Sequence, residues 1–179
     1  MSPCERALEV RPARAEDADA IHILHAKCFV DIFAGRLGGF LPPAEERCDR
    51  ERSWTGPIGS PHDRHALLVA ERCDRVIGFV AVGPTRDADQ DGRTTGELRT
   101  VQVDSSDRGL GVGRALLAAG ERAMRECRFS IATLWVLPEN LRAVGCYERC
   151  GWRPDGTQRL SDFHGREIRS VRYRKLLAP

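Results

Sequence analysis

Residues 97–127, ELRTVQVDSSDRGLGVGRALLAAGERAMREC, predict a strand, a glycine-rich turn and a long amphipathic helix. The β-branched and apolar residues in the first part of this stretch are typical of a strand. The apolar positions change parity between Leu98 and the pair Val101 and Val103, which predicts an extra residue that bulges the strand. From Val112 onward the apolar period becomes helical, and the opposite face of the helix is charged. The charged residues are Arg114, Glu121, Arg122, Arg125 and Glu126.

The turn between the predicted strand and helix carries glycine at three alternate positions, Gly109, Gly111 and Gly113. Successive backbone N–H groups of such a turn can point into one concavity, and the positive end of the helix dipole lies behind them. The pattern predicts a pyrophosphate site or, without a ligand, a tight strand-to-helix turn. It is not a Walker loop, because no Lys-Ser/Thr pair follows the glycines. It is not the dinucleotide fingerprint either, because Leu116 occupies the position of the third glycine.

A second motif follows in residues 135–152, WVLPENLRAVGCYERCGW. Together with the glycine turn it resembles, in order and separation, the two motifs of the GNAT superfamily of acetyl-CoA-dependent N-acetyltransferases. The turn matches the Arg/Gln-x-x-Gly-x-Gly/Ala signature of that family. The matching residues are Arg108, Gly111 and Gly113 in the first motif, and Asn140, Ala143, Tyr147 and Gly151 in the second. The resemblance covers residues 8–177, with its motif core at 97–152.

The resemblance implies an α/β sandwich with a mixed, mostly antiparallel central sheet flanked by helices. The residue patterns predict the same order: a strand, two helices, three strands, a helix, a strand, a helix and two strands. The second helix is predicted at residues 44–54, and the last strand at 168–176 with one wet face. Asp155 and Gly156 are predicted to form a turn, and Gly151 to end a helix in the left-handed conformation. We expect a single domain over residues 1–179.

Acetyl-CoA is the cosubstrate that the resemblance implies. The main-chain groups of Val101 and Val103 would pair with the pantetheine arm and polarise the thioester carbonyl. The segment from Arg108 to Arg114 would hold the pyrophosphate, and Asn140 would bind the cofactor or orient its helix. The predicted cofactor-binding residues are Val101, Gln102, Val103, Arg108, Gly109, Leu110, Gly111, Val112, Gly113, Arg114 and Asn140.

Acetyl transfer to an amine needs a proton acceptor for the ammonium group and a proton donor for the departing thiolate. An alkylammonium has a pKa of about 10.4, so roughly one molecule in a thousand is neutral and nucleophilic at neutral pH. The resemblance implies Glu97 as the base, and the alternatives are Asp104, an ordered water, or a solvated strand-end charge with no such role. It implies Tyr147 as the acid, and the alternative is a tyrosine that only packs in the core.

These assignments predict an acyltransferase that moves an acetyl group from acetyl-CoA to a primary amine of a small molecule or peptide by direct attack on the thioester. The alternatives are a catalytically lapsed acyl-CoA-binding regulatory module and a protein N-terminal acetyltransferase. The acceptor would contact the segments that vary most in the family, here residues 33–65 and 155–167. Carboxylates near aromatic residues, such as Asp31 and Asp162, suggest a cationic amine carrying an apolar body.

Composition limits the other classes of partner. The formal net charge of +2 is too small to indicate nucleic acid or an anionic membrane as the main partner. The sequence has no transmembrane run, and its first residues lack the apolar stretch of a signal peptide, so we expect a cytoplasmic protein. The seven cysteines are odd in number and include no C-x-x-C pair, so we expect reduced thiols and no metal site. A homodimer is left open.

Overall fold

The computed structural model describes residues 7–33, 64–163 and 165–178. The predicted helix at 44–54 lies outside these residues, and the other elements occur in the predicted order. The strands are β1 (Glu9–Pro12), β2 (Ala66–Arg72), β3 (Arg75–Pro84), β4 (Thr95–Val103), β5 (Ile131–Val136), β6 (Arg153–Phe163) and β7 (Arg166–Leu176). The described helices are α1 (Ala18–Phe33), α2 (Val112–Glu126) and α3 (Leu141–Arg149), with short 3₁₀ turns at Ala15–Asp17 and Ser105–Asp107.

The strands form one seven-stranded sheet in the order β1-β2-β3-β4-β5-β7-β6. Strands β4 and β5 are parallel, and every other neighbouring pair is antiparallel. The prediction of a mixed, mostly antiparallel sheet flanked by helices is therefore confirmed. Strand β7 lies beside the edge strand β6, as the alternation in its sequence indicated.

Helices cover both faces of the sheet. Successive side chains of β3 point to opposite faces, and those on both faces are apolar, so each face needs a helix to bury it. Val80 and Val82 belong to the hydrophobic cluster that includes α2, whereas Phe79 and Ala81 belong to the cluster that includes α1. The fully buried residues of α2 are Val112, Leu116, Leu117 and Met124. Each buried side chain of this size contributes about 1.5–3 kcal/mol relative to full exposure, so this apolar face holds α2 and the turn before it against the sheet.

The predicted bulge in β4 is present. Ala81 of β3 pairs with Thr100, and the next residue, Val82, pairs with Leu98, so Arg99 is the extra residue. Strand β4 then separates from β5. Within the described residues their parallel pairing ends at Glu97 opposite Thr133. A gap therefore opens between the two strands beside the bulge.

The β2–β3 hairpin turns through Cys73 and Asp74, which have φ angles of 54° and 58°. Two positive φ angles in succession are typical of a type I′ turn, whose twist matches that of the flanking strands. Cys73 is disulfide-bonded, so the expectation of reduced thiols throughout was wrong. An odd number of cysteines does not exclude one pair. The free thiols among the described residues are Cys28, Cys127, Cys146 and Cys150.

The turn predicted at Asp155 and Gly156 is instead an irregularity within β6. The register of β6 against β7 shifts between Pro154 and Gln158, and Gly156 has a φ of 89°. A glycine with positive φ suits a bulge as well as a turn, and here β7 is long enough to pair on both sides of it.

Two charged residues are buried. Glu121, predicted on the charged face of its helix, is 5% exposed and accepts hydrogen bonds from Lys175 and from the indole of Trp152. Arg172 of β7 is 3% exposed. Its guanidinium pairs with Asp87 at 3.1 Å, Asp89 at 2.7 Å and Asp155 at 2.6 Å. Burial of a charge is tolerated where the protein supplies opposite charges and hydrogen bonds, and in both cases it does.

Candidate active site

A cavity of about 940 Å³ lies among the end of β4, the turn before α2, and α3. The predicted site residues on its wall are Val101, Gln102, Val103, Arg108, Gly109, Gly111, Gly113, Arg114, Asn140 and Tyr147. Leu110 is 59% exposed and Val112 packs in the core, and neither lines the cavity. The fold thus brings the two sequence motifs together around one space.

Part of this wall was not predicted from the sequence. Cys146 and Cys150 lie beside Tyr147 on α3, one helical turn apart and next to the motif residue Ala143, so the periodicity of α3 could have identified them. Cys28 and Asp31 come from α1, far away in the sequence. Asp31 was considered only as a carboxylate for the acceptor, and no local signal pointed to Cys28. The remaining wall residues that were missed are Leu117, Glu139, Leu141, Arg142 and Arg149.

The glycine turn has the backbone conformation that an anion cradle requires. Gly109 and Gly111 have φ angles of 83° and 82°, and Gly111 is the N-cap of α2. A Cβ atom added to either glycine would meet no other atom within 4 Å. The space above the turn is therefore open, next to the positive end of a 15-residue helix. These residues fit a phosphate-bearing cofactor.

Arg108 fastens this turn to its surroundings. Its Nε donates to the Val103 carbonyl at 3.0 Å, and Nη2 lies 2.8 Å from a carboxylate oxygen of Asp31. The Cys28 thiol donates to the same Val103 carbonyl at 3.4 Å. The arginine side chain is thus engaged within the protein, and a cofactor group that used the Val103 carbonyl would share it with two donors.

Aromatic packing holds Tyr147 in place. Its ring lies 6.4 Å from the Trp152 ring and 6.5 Å from the Tyr173 ring, measured between centroids. At the start of α3, the Asn140 side chain accepts a hydrogen bond of 3.3 Å from the Ala143 backbone N–H and so caps the helix. Burial raises the pKa of Tyr147, with a smaller contribution from Cys146. The phenol is therefore protonated at neutral pH and able to act as a proton donor.

Glu97 is buried at the point where β4 and β5 separate, and it does not line the cavity. Its carboxylate accepts hydrogen bonds from the Arg86 guanidinium at 3.0 and 3.1 Å and from the Arg86 backbone N–H at 3.3 Å. Its role as a base stays a prediction. Asp104 accepts from the backbone N–H and hydroxyl of Ser106, and these hydrogen bonds lower its pKa. This geometry favours a turn-shaping role for Asp104.

In the described segments, no group of three or more His, Cys, Asp or Glu residues is arranged to hold a metal ion. None of the described helices combines the length and the apolar character needed to cross a bilayer.

A split mixed sheet with a glycine-rich turn and a capped helix around one cavity defines the class of GNAT-type acyltransferase folds. The sequence profile described as "Acetyltransferase (GNAT) family" matches residues 19–152. The chain belongs to this family, which confirms the resemblance inferred from its two motifs.

Similar proteins include two curated relatives named mycothiol acetyltransferase. The protein from Propionibacterium freudenreichii subsp. shermanii is 37% identical over 115 residues, covering 64% of this chain and 34% of the relative. The protein from Acidothermus cellulolyticus is 32% identical over 158 residues, covering 83% of this chain and 45% of the relative. The chain therefore spans less than half the length of these curated relatives.

A solved structure shares the fold. A putative acetyltransferase, yncA, from Salmonella typhimurium, determined with its cofactor acetyl-CoA, aligns with a TM-score of 0.70 and 21% identity. The alignment covers 97% of this chain and 95% of that one. At this identity the likeness concerns the fold.

Proposed function

We propose that this chain transfers an acetyl group from acetyl-CoA to a primary amine of a small molecule. The observation that carries the proposal is that an open glycine cradle and a protonated tyrosine share one cavity. Further support comes from membership of the GNAT family and from relatives named mycothiol acetyltransferase. The neighbour determined with acetyl-CoA supports the choice of cosubstrate.

The cradle would bind the pyrophosphate through the backbone N–H groups of residues 109–113 and the N-terminus of α2. Arg114, Arg142 and Arg149 on the same wall add positive charge for the phosphates. Beyond Glu97, β4 has no described pairing with β5, so the main chain around Val101 is available to orient an extended ligand arm. Bound acetyl-CoA supplies the thioester that the amine attacks.

Two proton transfers remain for the protein. Tyr147 would donate its hydroxyl proton to the departing sulfur, because a phenol with the ordinary pKa of about 10 is already protonated at neutral pH and burial raises that pKa further. The proton of the attacking amine would pass to Glu97 through ordered water or to water alone, since Glu97 lies off the cavity wall and is bound by Arg86. Direct attack needs no covalent intermediate on the protein.

The predictions from sequence about domain organisation, location and oligomeric state are part of the same proposal. We retain a single domain over residues 1–179 and a cytoplasmic location, with a homodimer left open. Peptide acceptors and a lapsed binding module are the alternatives to small-molecule acetylation.

The test is incubation of the protein with acetyl-CoA and an amine panel, followed by a thiol reagent and mass spectrometry. We expect thiol release above the hydrolysis background and an acetylated amine. Calorimetry on the same sample separates the alternatives. Acetyl-CoA binding without thiol release would support the lapsed module, and absence of binding would contradict the cradle.

A further inference from the structure

Arg99, the bulged residue of β4, is a half-buried arginine with no ionic partner among the described residues. Its Nη2 donates to the Pro84 carbonyl at 3.2 Å, but its Nε is buried and meets no hydrogen-bond acceptor within the described part of the chain. Among the residues that the structure describes, no carboxylate forms an ion pair with it. Buried arginines are normally paired, so this unmatched guanidinium needs an explanation.

The charges next to Arg99 do not neutralise it. Glu97 is two residues away, but Arg86 already occupies both of its carboxylate oxygens. Burial and the positive charge of Arg86 together lower the pKa of Arg99, against a smaller opposing effect of Glu97. An arginine in a protein nevertheless stays charged at neutral pH. The site is therefore a half-buried positive charge with donor capacity to spare.

Arg99 lies on the face of the sheet that is opposite to α2. A Cβ atom added to Gly83 would come within 3.0 Å of the Arg99 Cζ atom. The preceding residue, Val82, points to the other face, where it contacts Gly120 of α2. The guanidinium thus sits across the sheet from the helix that carries the glycine cradle, over Gly83 and Pro84 of β3. Its backbone in β4 lies two residues beyond Glu97, where the pairing of β4 with β5 ends.

This position separates Arg99 from the phosphate site. The cradle that would hold the cofactor's pyrophosphate is at the N-terminus of α2. An anion bound at Arg99 would therefore not be the pyrophosphate of the cofactor but a group on the acceptor. A thioester lying in the gap can be approached from the face opposite to α2, beside the cluster in which α1 packs against Phe79 and Ala81. An amine acceptor entering there would bring its substituents next to Arg99.

We propose that Arg99 binds an anionic group, a carboxylate or phosphate, carried by the amine acceptor. The proposal rests on the function proposed above and specifies the acceptor class: an amine that also bears a negative charge. A guanidinium can donate two parallel hydrogen bonds to such a group, and the bond from Nη2 to Pro84 is the one hydrogen bond of this guanidinium among the described residues. The cationic acceptor predicted from sequence differs from this class. One of its supporting carboxylates, Asp31, is already paired with Arg108.

A kinetic test compares amines that exist as a free acid and as the corresponding amide, such as amino acids and their amides. We expect the wild-type protein to prefer the acid by about 10- to 100-fold in kcat/KM, the range of one or two charge-assisted hydrogen bonds. In Arg99→Met the ratio should fall to near one. An acid and its amide differ in the pKa of the amine. This difference affects the acid-to-amide ratio equally in wild type and Arg99→Met, so it does not change the comparison between the two proteins.

The matched control is Arg93→Met. Arg93 is an exposed arginine in the loop before β4, where it pairs with Asp91, and its loss should leave the ratio at the wild-type value. Arg99→Met should fold, because removal of this arginine leaves no described carboxylate without its cation. An equal acid-to-amide ratio in wild-type and Arg99→Met would overturn the proposal.

A second measurement does not depend on turnover. The Nε–H resonance of Arg99, assigned by its absence in Arg99→Met, is followed in ¹⁵N NMR during titration with acetate or inorganic phosphate. A saturable shift that chloride at equal ionic strength does not produce is expected, and its absence would count against the anion site. If the shift occurs but no amine is acetylated, the proposed enzymatic function fails while the anion site stands.

Discussion

Nζ of Lys175 lies 2.7 Å from Oε2 of Glu121 and so joins β7 to α2. The same ammonium group donates to the Cys150 carbonyl at 2.7 Å, and the Trp152 indole donates to Oε1 of Glu121 at 2.9 Å. Glu121 thus connects α2 to the segment that follows α3. The cavity wall carried by α3 depends on this connection.

Lys175→Met should destabilise the protein by about 3 kcal/mol, because it leaves the Glu121 carboxylate buried without its cation. This is the lower end of the usual range, since the Lys175 side chain is still 23% exposed. The urea midpoint should fall with an unchanged m value. Arg125→Met is the control: Arg125 lies 3.7 Å from the same carboxylate but is 38% exposed, so its loss should cost less than about 1 kcal/mol. Equal losses in the two variants would contradict this account.

The features that could be predicted from sequence are those with a local signal. The bulge at Arg99 followed from a change in apolar parity, and the left-handed Gly151, with a φ of 86°, followed from its place after a helical period. The β2–β3 hairpin has a local signal too, because two apolar runs, residues 66–70 and 76–82, flank a short polar turn. Each of these depends on residues close together in the chain.

The features that could not be predicted depend on partners distant in sequence. The helical period places Glu121 on the charged face of α2, where solvent exposure is expected. Its burial depends on Lys175, which lies 54 residues later in the sequence. Arg172 meets Asp89 across 83 residues. Arg108 reaches Cys28 across 80 residues, which places α1 on the cavity wall. Periodicity carries no information about such pairs.

Acid should weaken the protein partly through Asp17. Hydrogen bonds from Arg11 and from the Arg14 backbone N–H hold the pKa of this buried carboxylate below its ordinary value. The contribution of Asp17 to the free energy of unfolding is therefore complete above about 3.9, the pKa of the carboxyl group in the unfolded chain. It is lost as the pH falls through the lower pKa that this group has in the folded protein. Asp17→Asn should cost about 1.5–3 kcal/mol at pH 7, and the difference from wild type should shrink progressively below about pH 4.

Urea unfolding at several pH values measures the effect of Asp17→Asn. Glu16→Gln serves as the control, because the neighbouring Glu16 carboxylate is 72% exposed and pairs with Arg14 at 3.4 Å. A gap between wild type and Asp17→Asn that is as large at pH 3 as at pH 7 would show that the effect is not electrostatic.

Replacement of Gly111 should weaken acetyl-CoA binding through the backbone. Gly111→Val places a β-branched residue at a φ of 82° and fills the open space over the cradle. We expect the Kd for acetyl-CoA to rise by more than about tenfold, or about 1.4 kcal/mol. Gly156→Val is matched in strain, with a φ of 89° and open space around it, but it lies in β6 away from the cavity. Calorimetry that gave the same Kd in both variants would rule out the cradle.

Glu97→Gln tests the base directly. The amide keeps the size of the side chain and an oxygen that can accept a hydrogen bond from Arg86, but it cannot take up the amine proton. If Glu97 is the base, kcat should fall by about 10²- to 10⁴-fold while acetyl-CoA affinity is retained. Unchanged activity with an unshifted pH profile would assign the base to water or Asp104.

Tyr147→Phe removes the hydroxyl group and retains the ring that packs against Trp152 and Tyr173. We expect kcat to fall by about 10²- to 10⁴-fold with little change in acetyl-CoA affinity, because the hydroxyl acts only on the leaving sulfur. Burial raises the pKa of Tyr147, so the wild-type pH profile should show no loss of this proton at or below the ordinary tyrosine pKa of about 10. Tyr173→Phe removes a hydroxyl that donates to Glu148 at 3.1 Å, and it should leave kcat within a few-fold of wild type. Equal losses of binding and turnover in Tyr147→Phe would mean that the residue only supports the packing of α3.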